Sequence, residues 1–142
     1  MSVSDEASKM FQEFKLSNKI KYVIFKMDKD YTQVVLEKVK ETKGVTYEDF
    51  VNEFKNFPPQ ECRFAVYHFD WETENSGKRS KICFFTWCPE TAKIKEKMVY
   101  TSSHAFLKNH FDGVAFKIQA NDLSDVDYEL VLEKVSKGPG NK

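Results

Sequence analysis

Residues 62–88 read CRFAVYHFDWETENSGKRSKICFFTWC. The two ends of this stretch, CRFAVYHF at 62–69 and ICFFTWC at 82–88, are almost continuously apolar over strand length. That is the pattern of strands whose two faces are both covered, so both are expected at the centre of a sheet. The intervening WETENSGKRSK is polar and carries Asn75, Ser76 and Gly77, which suit a turn. The pair therefore predicts a hairpin that projects past the core with charge at its tip.

Toward the N-terminus, Ser4 followed by Asp5 and Glu6 marks a helix start, and Ala7, Met10, Phe11 and Phe14 recur at i, i+3, i+4 and i+7. The β-rich runs Tyr22 to Phe25 and Val34 to Leu36 flank the polar Asp28, Lys29 and Asp30 and predict a first hairpin. Thr46 and Asp49 have capping-box spacing, Tyr47, Phe50, Val51 and Phe54 repeat a helical face, and Pro58 with Pro59 stops it. Toward the C-terminus, a long helix is expected from about Thr91 to Phe111, bent near Thr101, Ser102 and Ser103 by hydroxyls that bond back to the backbone. Gly113 ends it; Val114, Phe116 and Ile118 alternate as a strand. Ser124 with Asp127 is expected to open a last helix bearing Tyr128, Val131, Leu132 and Val135, with a frayed tail from about Gly138. The order describes an α/β fold, a central mixed sheet flanked on both faces by helices, in one domain spanning residues 1–142.

Composition narrows the function. Lys plus Arg (22) balance Asp plus Glu (22), so there is no basic excess to neutralise a run of phosphates and nucleic acid is not an expected partner. Apolar residues at 41% supply a core, so the chain should fold. No stretch has the apolar length of a transmembrane segment, and MSVSDEASK has neither a basic n-region nor an apolar h-region; a soluble protein of the cytosol or nucleus is expected. Cys62, Cys83 and Cys88 are odd in number, lack C-x-x-C spacing and read as buried free thiols. His68, His104 and His110 have no companions at metal spacing and no nucleophile arrangement, and His68 reads as structural. With five glycines and no phosphate-binding loop, nucleotide hydrolysis has no support, and neither an enzyme nor a cofactor or metal is expected.

What remains is patterned charge. Lys78, Arg79 and Lys81 sit at the second hairpin, Lys93, Lys95 and Lys97 open the long helix, and Lys134 and Lys137 lie one turn apart in the last. On a regular helix Lys93 and Lys97 share a face and Lys95 points away.

The segment PETAKIKEKMVYTSS at 89–103, with WETENSGKRSKICFFTWC before it and FDGVAFKIQANDLSD after it, closely resembles the cofilin (actin-depolymerising factor) family. The similarity runs from VSDEASKMFQEFKL to VLEKVSKG and takes in YEDF and ECRFAVY. The resemblance implies the ADF-homology fold, no cofactor, and binding to actin monomers and filaments, ADP-actin preferred, with severing and depolymerisation. It implies a monomer/filament surface from Ser2, Val3 and Ser4 with the long helix, whose K-x-K-M motif matches Lys95, Lys97 and Met98, and which extends to His104. It implies a filament surface from Arg79 and Lys81 of the hairpin and Glu133, Lys134 and Lys137 of the last helix. Phosphoinositide head groups would compete for the basic patches. Family members are silenced by phosphorylation of an N-terminal serine; the leader here is shortened, which leaves Ser2 as the candidate and Ser4 as helix cap. The family pattern S-S-K-D reads Ser102, Ser103, His104, Ala105 here, so a titratable ring replaces a fixed charge. The resemblance further suggests a monomer in the cytoplasm and actin cytoskeleton, with the nucleus as a second compartment. Coactosin and glia maturation factor share the fold; K-x-K-M together with K-R-S-K favours cofilin over both, and an adaptor serving phosphoinositide membranes first is a third reading.

Overall fold

The computed structural model describes residues 2–17, 19–73 and 77–137. Its elements run β1 (Ser2–Val3), α1 (Asp5–Leu16), β2 (Ile20–Met27), β3 (Gln33–Glu41), α2 (Tyr47–Asn56), β4 (Arg63–Thr73), β5 (Gly77–Trp87), α3 (Ile94–His110), β6 (Phe116–Ala120) and α4 (Tyr128–Lys137), with a 3-10 turn at Leu123–Val126. Six strands form one sheet in the order β1-β3-β2-β4-β5-β6. The outermost pairs, β1 with β3 and β5 with β6, are parallel and the others antiparallel. The sheet is mixed, as expected.

Alternation along the central strands builds two cores. Phe64, Val66, Ile82 and Phe84 point to one face, where they meet Ala7, Phe11 and Phe14 of α1 and Tyr100 and Leu107 of α3. Ala65, Tyr67, Cys83 and Phe85 point to the other, against Phe50 and Phe54 of α2 and Val131 and Val135 of α4. Both faces of β4 and β5 are thus covered, which is why their sequence reads as unbroken apolar runs.

Local chemistry sets the helix ends. The Ser4 side chain accepts a hydrogen bond from the Ala7 amide at 3.0 Å and caps α1. Thr46 and Asp49 close the expected capping box on α2. Gly113, at φ +89°, takes the left-handed conformation just past α3 that its Cβ-free backbone allows.

Four details differ from the sequence reading. Ser2 and Val3 form a strand, paired with Gln33 and Val34. The polar stretch of the second hairpin is itself laddered, with Trp71 opposite Arg79 and Thr73 opposite Gly77; Asn75 and Ser76 of the expected turn lie outside the described residues, as does the tail from Gly138. The long helix begins at Ile94 and not near Thr91, whose hydroxyl is held by the Pro59 carbonyl; it is one helix through Ser102 and Ser103, whose hydroxyls bond back to the Val99 carbonyl as the sequence suggested. Ser124 does not open the last helix. It sits in the 3-10 turn capped by Asp122, and Asp127 caps α4 by accepting from the Leu130 amide at 3.3 Å.

Candidate functional site: two charged surfaces

Helix α3 carries its side chains in an unusual order. The positions turned into the protein are Glu96, Tyr100, Ser103 and Leu107, and two of these four are polar. The large apolar Ile94 and Met98, one turn apart, are 77% and 66% exposed. Burying a carboxylate while exposing Ile and Met costs stability in an isolated chain, so a partner surface is the natural home for the exposed pair.

Glu96 is satisfied where it lies. One oxygen accepts from the Cys62 amide at 2.9 Å, and its carboxylate takes the Tyr31 hydroxyl, which pushes the Tyr31 pKa up to about 12. Tyr31 has φ +59°, a left-handed conformation that is a genuine outlier for a bulky residue. Its ring lies 5.2 Å from the Lys95 ammonium, a cation–π contact. The turn between β2 and β3 is thereby pinned to the first turns of α3. Tyr100 adds a second tie, its hydroxyl accepting from the Met27 amide at 2.8 Å.

The same turn holds the N-terminal segment. The Ser2 amide donates to the Thr32 carbonyl at 3.2 Å and the Ser4 amide to the Val34 carbonyl at 2.9 Å. Ser2 is exposed and Val3 half-buried. Ser2 and Lys95 are therefore tied to one turn through Thr32 and Tyr31, and Val3 and Ser4 are held beside it at Val34. Lys97 is half-buried, and its ammonium donates to the Glu90 carbonyl at 2.8 Å. His104 turns toward the sheet: Nδ1 is 2.8 Å from the Thr86 hydroxyl and the ring stacks on Phe84 at 5.3 Å. Burial, then Lys117 and Lys108, hold its pKa below the ordinary value, so the ring is neutral at neutral pH.

The second set lies on the opposite face of the sheet. Arg79 and Lys81 are two residues apart on β5 and share a side with Trp71 and Phe69. The Lys81 ammonium sits 5.3 Å from the Phe116 ring and 6.0 Å from that of Trp71. Phe69 stacks on Tyr128 at 5.4 Å, which fixes α4 beside the hairpin. Glu133 and Lys134 are exposed on α4, while Val131 and Val135 face inward. Lys137 closes α4, and its side chain lies outside the described residues.

Residues 1–136 match the family model described as "Cofilin/tropomyosin-type actin-binding protein". This chain belongs to the cofilin family of actin-binding proteins. The cofilin of Mycosarcoma maydis is 44% identical over 137 residues, covering 96% of this chain and 95% of that one. The cofilin of Saccharomyces cerevisiae is 41% identical over 143 residues, covering 99% and 96%. Among solved structures, that of Streptomyces griseoflavus cofilin superposes with a TM-score of 0.83 at 38% identity, covering 97% of this chain and 99% of that one. Within this cofilin-family fold, Ile94, exposed one turn before Met98, and Tyr31, in contact with Lys95, lie beside the expected site residues and were passed over by the sequence reading. Ile94 had a signal, since it is the apolar residue one turn before Met98 in a lysine-rich segment; Tyr31 had none. Among the described residues no group of three or more His, Cys, Asp or Glu side chains converges as a metal site would, and no helix is long and apolar enough to cross a membrane.

Proposed function

We propose that this chain binds actin monomers and filaments, ADP-actin in preference, and severs and depolymerises filaments through the two surfaces. The observation that carries the reading is the inversion of α3, with Ile94 and Met98 exposed beside Lys95 while Glu96 is buried. Met98 supplies an adaptable apolar contact, Lys95 and Lys97 complement acidic protein surface, and Ser2, Val3, Ser4 and His104 are assigned to the same surface. Arg79, Lys81, Glu133, Lys134 and Lys137 form the second contact, on the neighbouring subunit of a filament. A rigid body that grips two subunits favours the filament twist that suits both grips, and the population shifts toward that twist in proportion to the difference in affinity. Boundaries between twisted and relaxed stretches are then the places where the filament breaks.

Regulation follows from the same charges. Phosphoinositide head groups compete with actin for the lysines, and a phosphate on exposed Ser2 repels the acidic partner. The protein acts as a monomer in the cytoplasmic actin cytoskeleton.

The test is co-sedimentation with ADP-actin filaments together with imaging of filament length, for the wild type and for Lys95→Ala/Lys97→Ala. Binding with shortening that the double variant loses is the expected result. Binding without shortening would place the chain with coactosin-like side binders, and absence of binding would overturn the reading.

A further inference from the structure

The ladder between β4 and β5 pairs Arg63 with Trp87 and Phe64 with Thr86. One more step of the same register places Cys62 opposite Cys88, at the mouth of the hairpin. Opposed residues in an antiparallel pair have Cα atoms about 4.5–5.5 Å apart, inside the range of about 4.4–6.8 Å that a disulfide spans. The backbone around the two residues is committed elsewhere. The Cys62 amide donates to Glu96 Oε1 at 2.9 Å and the Cys88 amide to the Ala120 carbonyl at 2.8 Å. The Cys62 carbonyl accepts from Arg63 and the Cys88 carbonyl from Asn121. The two cysteines therefore face each other as a non-hydrogen-bonded pair, the kind in which side chains approach more closely.

Both side chains belong to the core cluster under α1 and α3, and both thiols are free. The two thiols interact with each other, and Cys88 interacts as well with Thr101 of α3. The interaction with Cys62, and after it that with Thr101, holds the Cys88 pKa below its ordinary value, while that of Cys62 is driven up by the same interaction and by burial. Exposure divides the roles in the same way, Cys88 at 8% and Cys62 at 0%. Cys83 lies in the core on the other face, with its pKa pushed up to about 12 by burial.

We propose that Cys62 and Cys88 are a dithiol that hydrogen peroxide closes to an intrachain disulfide across the mouth of the β4–β5 hairpin, beneath α3. In the first step Cys88 thiolate attacks one peroxide oxygen. The O–O bond breaks, the departing hydroxide takes a proton to become water, and Cys88 becomes a sulfenic acid. In the second step the Cys62 thiol gives up its proton and its sulfur attacks Cys88 sulfur. The S–O bond breaks as the S–S bond forms, and the hydroxyl leaves with that proton as a second water. Two thiols are oxidised, one peroxide is reduced, and Cys83 takes no part.

The experiment treats the folded chain with hydrogen peroxide, quenches it, denatures it with an alkylating agent, and maps the peptides without reduction. The expected result is a single species lighter by two hydrogens, with residue 62 linked to residue 88 and only Cys83 alkylated. Dithiothreitol restores all three alkylation sites, Cys83→Ser still forms the bridge and Cys88→Ser does not. The proposal is overturned if peroxide leaves Cys62 alkylated in the wild type, if Cys88 stops at sulfinic or sulfonic acid, or if the bridge runs between chains or through Cys83. The wild-type peptide map decides these outcomes even where a variant fails to fold.

Discussion

Tyr31 holds a left-handed backbone that costs a non-glycine residue roughly 1–2 kcal/mol, and two contacts offset that cost: its hydroxyl on Glu96 and its ring under Lys95. A lysine on a flexible stem gains affinity when it is held in place before the partner arrives. Tyr31→Leu should therefore weaken filament binding roughly two- to five-fold, the equivalent of a cation–π contact at an exposed site. A double-mutant cycle with Lys95→Ala, read by co-sedimentation, should show the two effects to be non-additive; full additivity would separate Tyr31 from Lys95. Thr46 offers a test free of function. Thr46→Ala removes the side chain that accepts from the Asp49 amide, and urea unfolding should record a loss of about 1 kcal/mol with no change in actin binding. Caps such as Ser4 and Thr46 were legible because their chemistry is complete within four residues. Ser124 was misread as the opening of the last helix for a related reason: it competes with Asp122, Asp125 and Asp127 within six positions, and only the course of the chain after β6 decides which one caps which turn. The strain at Tyr31 left no trace in the sequence, since the contacts that sustain it come from residue 96.

At the scale of elements, α3 is where pattern and structure part company. Apolar side chains ordinarily turn inward, yet Glu96 and Ser103 take inward positions and Ile94 and Met98 take solvent. The existence of the helix was readable from its formers and its stop at Gly113, but its rotation about its own axis was set by Glu96 reaching the Cys62 amide and Tyr100 reaching the Met27 amide. Both are long-range bonds. Ile94→Asp separates function from stability here. At 77% exposure the change should alter unfolding free energy by no more than about 0.5 kcal/mol, while filament affinity should fall by about tenfold or more as a charge is placed where an apolar contact is made. Equal affinity for wild type and variant would remove Ile94 from the surface. Strand β1 was invisible for another reason: two residues carry no period, and the strand exists only because the Thr32 and Val34 carbonyls offer acceptors at the sheet edge.

For the molecule as a whole, strand content and the double-sided cover of the sheet were written in the apolar runs, whereas the strand order was not, because pairing partners for equally apolar strands are chosen in three dimensions. Two half-buried histidines give the fold a defined response to acid. Burial is the leading cause that holds the pKa of both His68 and His104 below the ordinary value. The unfolded chain, whose histidines titrate near pH ~6.5, then binds protons more readily than the folded one. Stability should be full above that pH and fall as acid passes through the lower folded values, no more steeply than about 1.4 kcal/mol per pH unit for each ring. Urea unfolding at neutral and mildly acidic pH should show the slope, and His68→Gln with His104→Gln should flatten it; an unchanged slope would locate the acid sensitivity elsewhere. The back-to-back cores also govern how the protein opens. Phe64 and Ala65, or Phe84 and Phe85, are neighbours in sequence that serve opposite layers. Neither layer can be lost without stripping the strands that support the other, so amides at 64–67 and 83–86 should exchange with deuterium last and together, only when the whole chain unfolds.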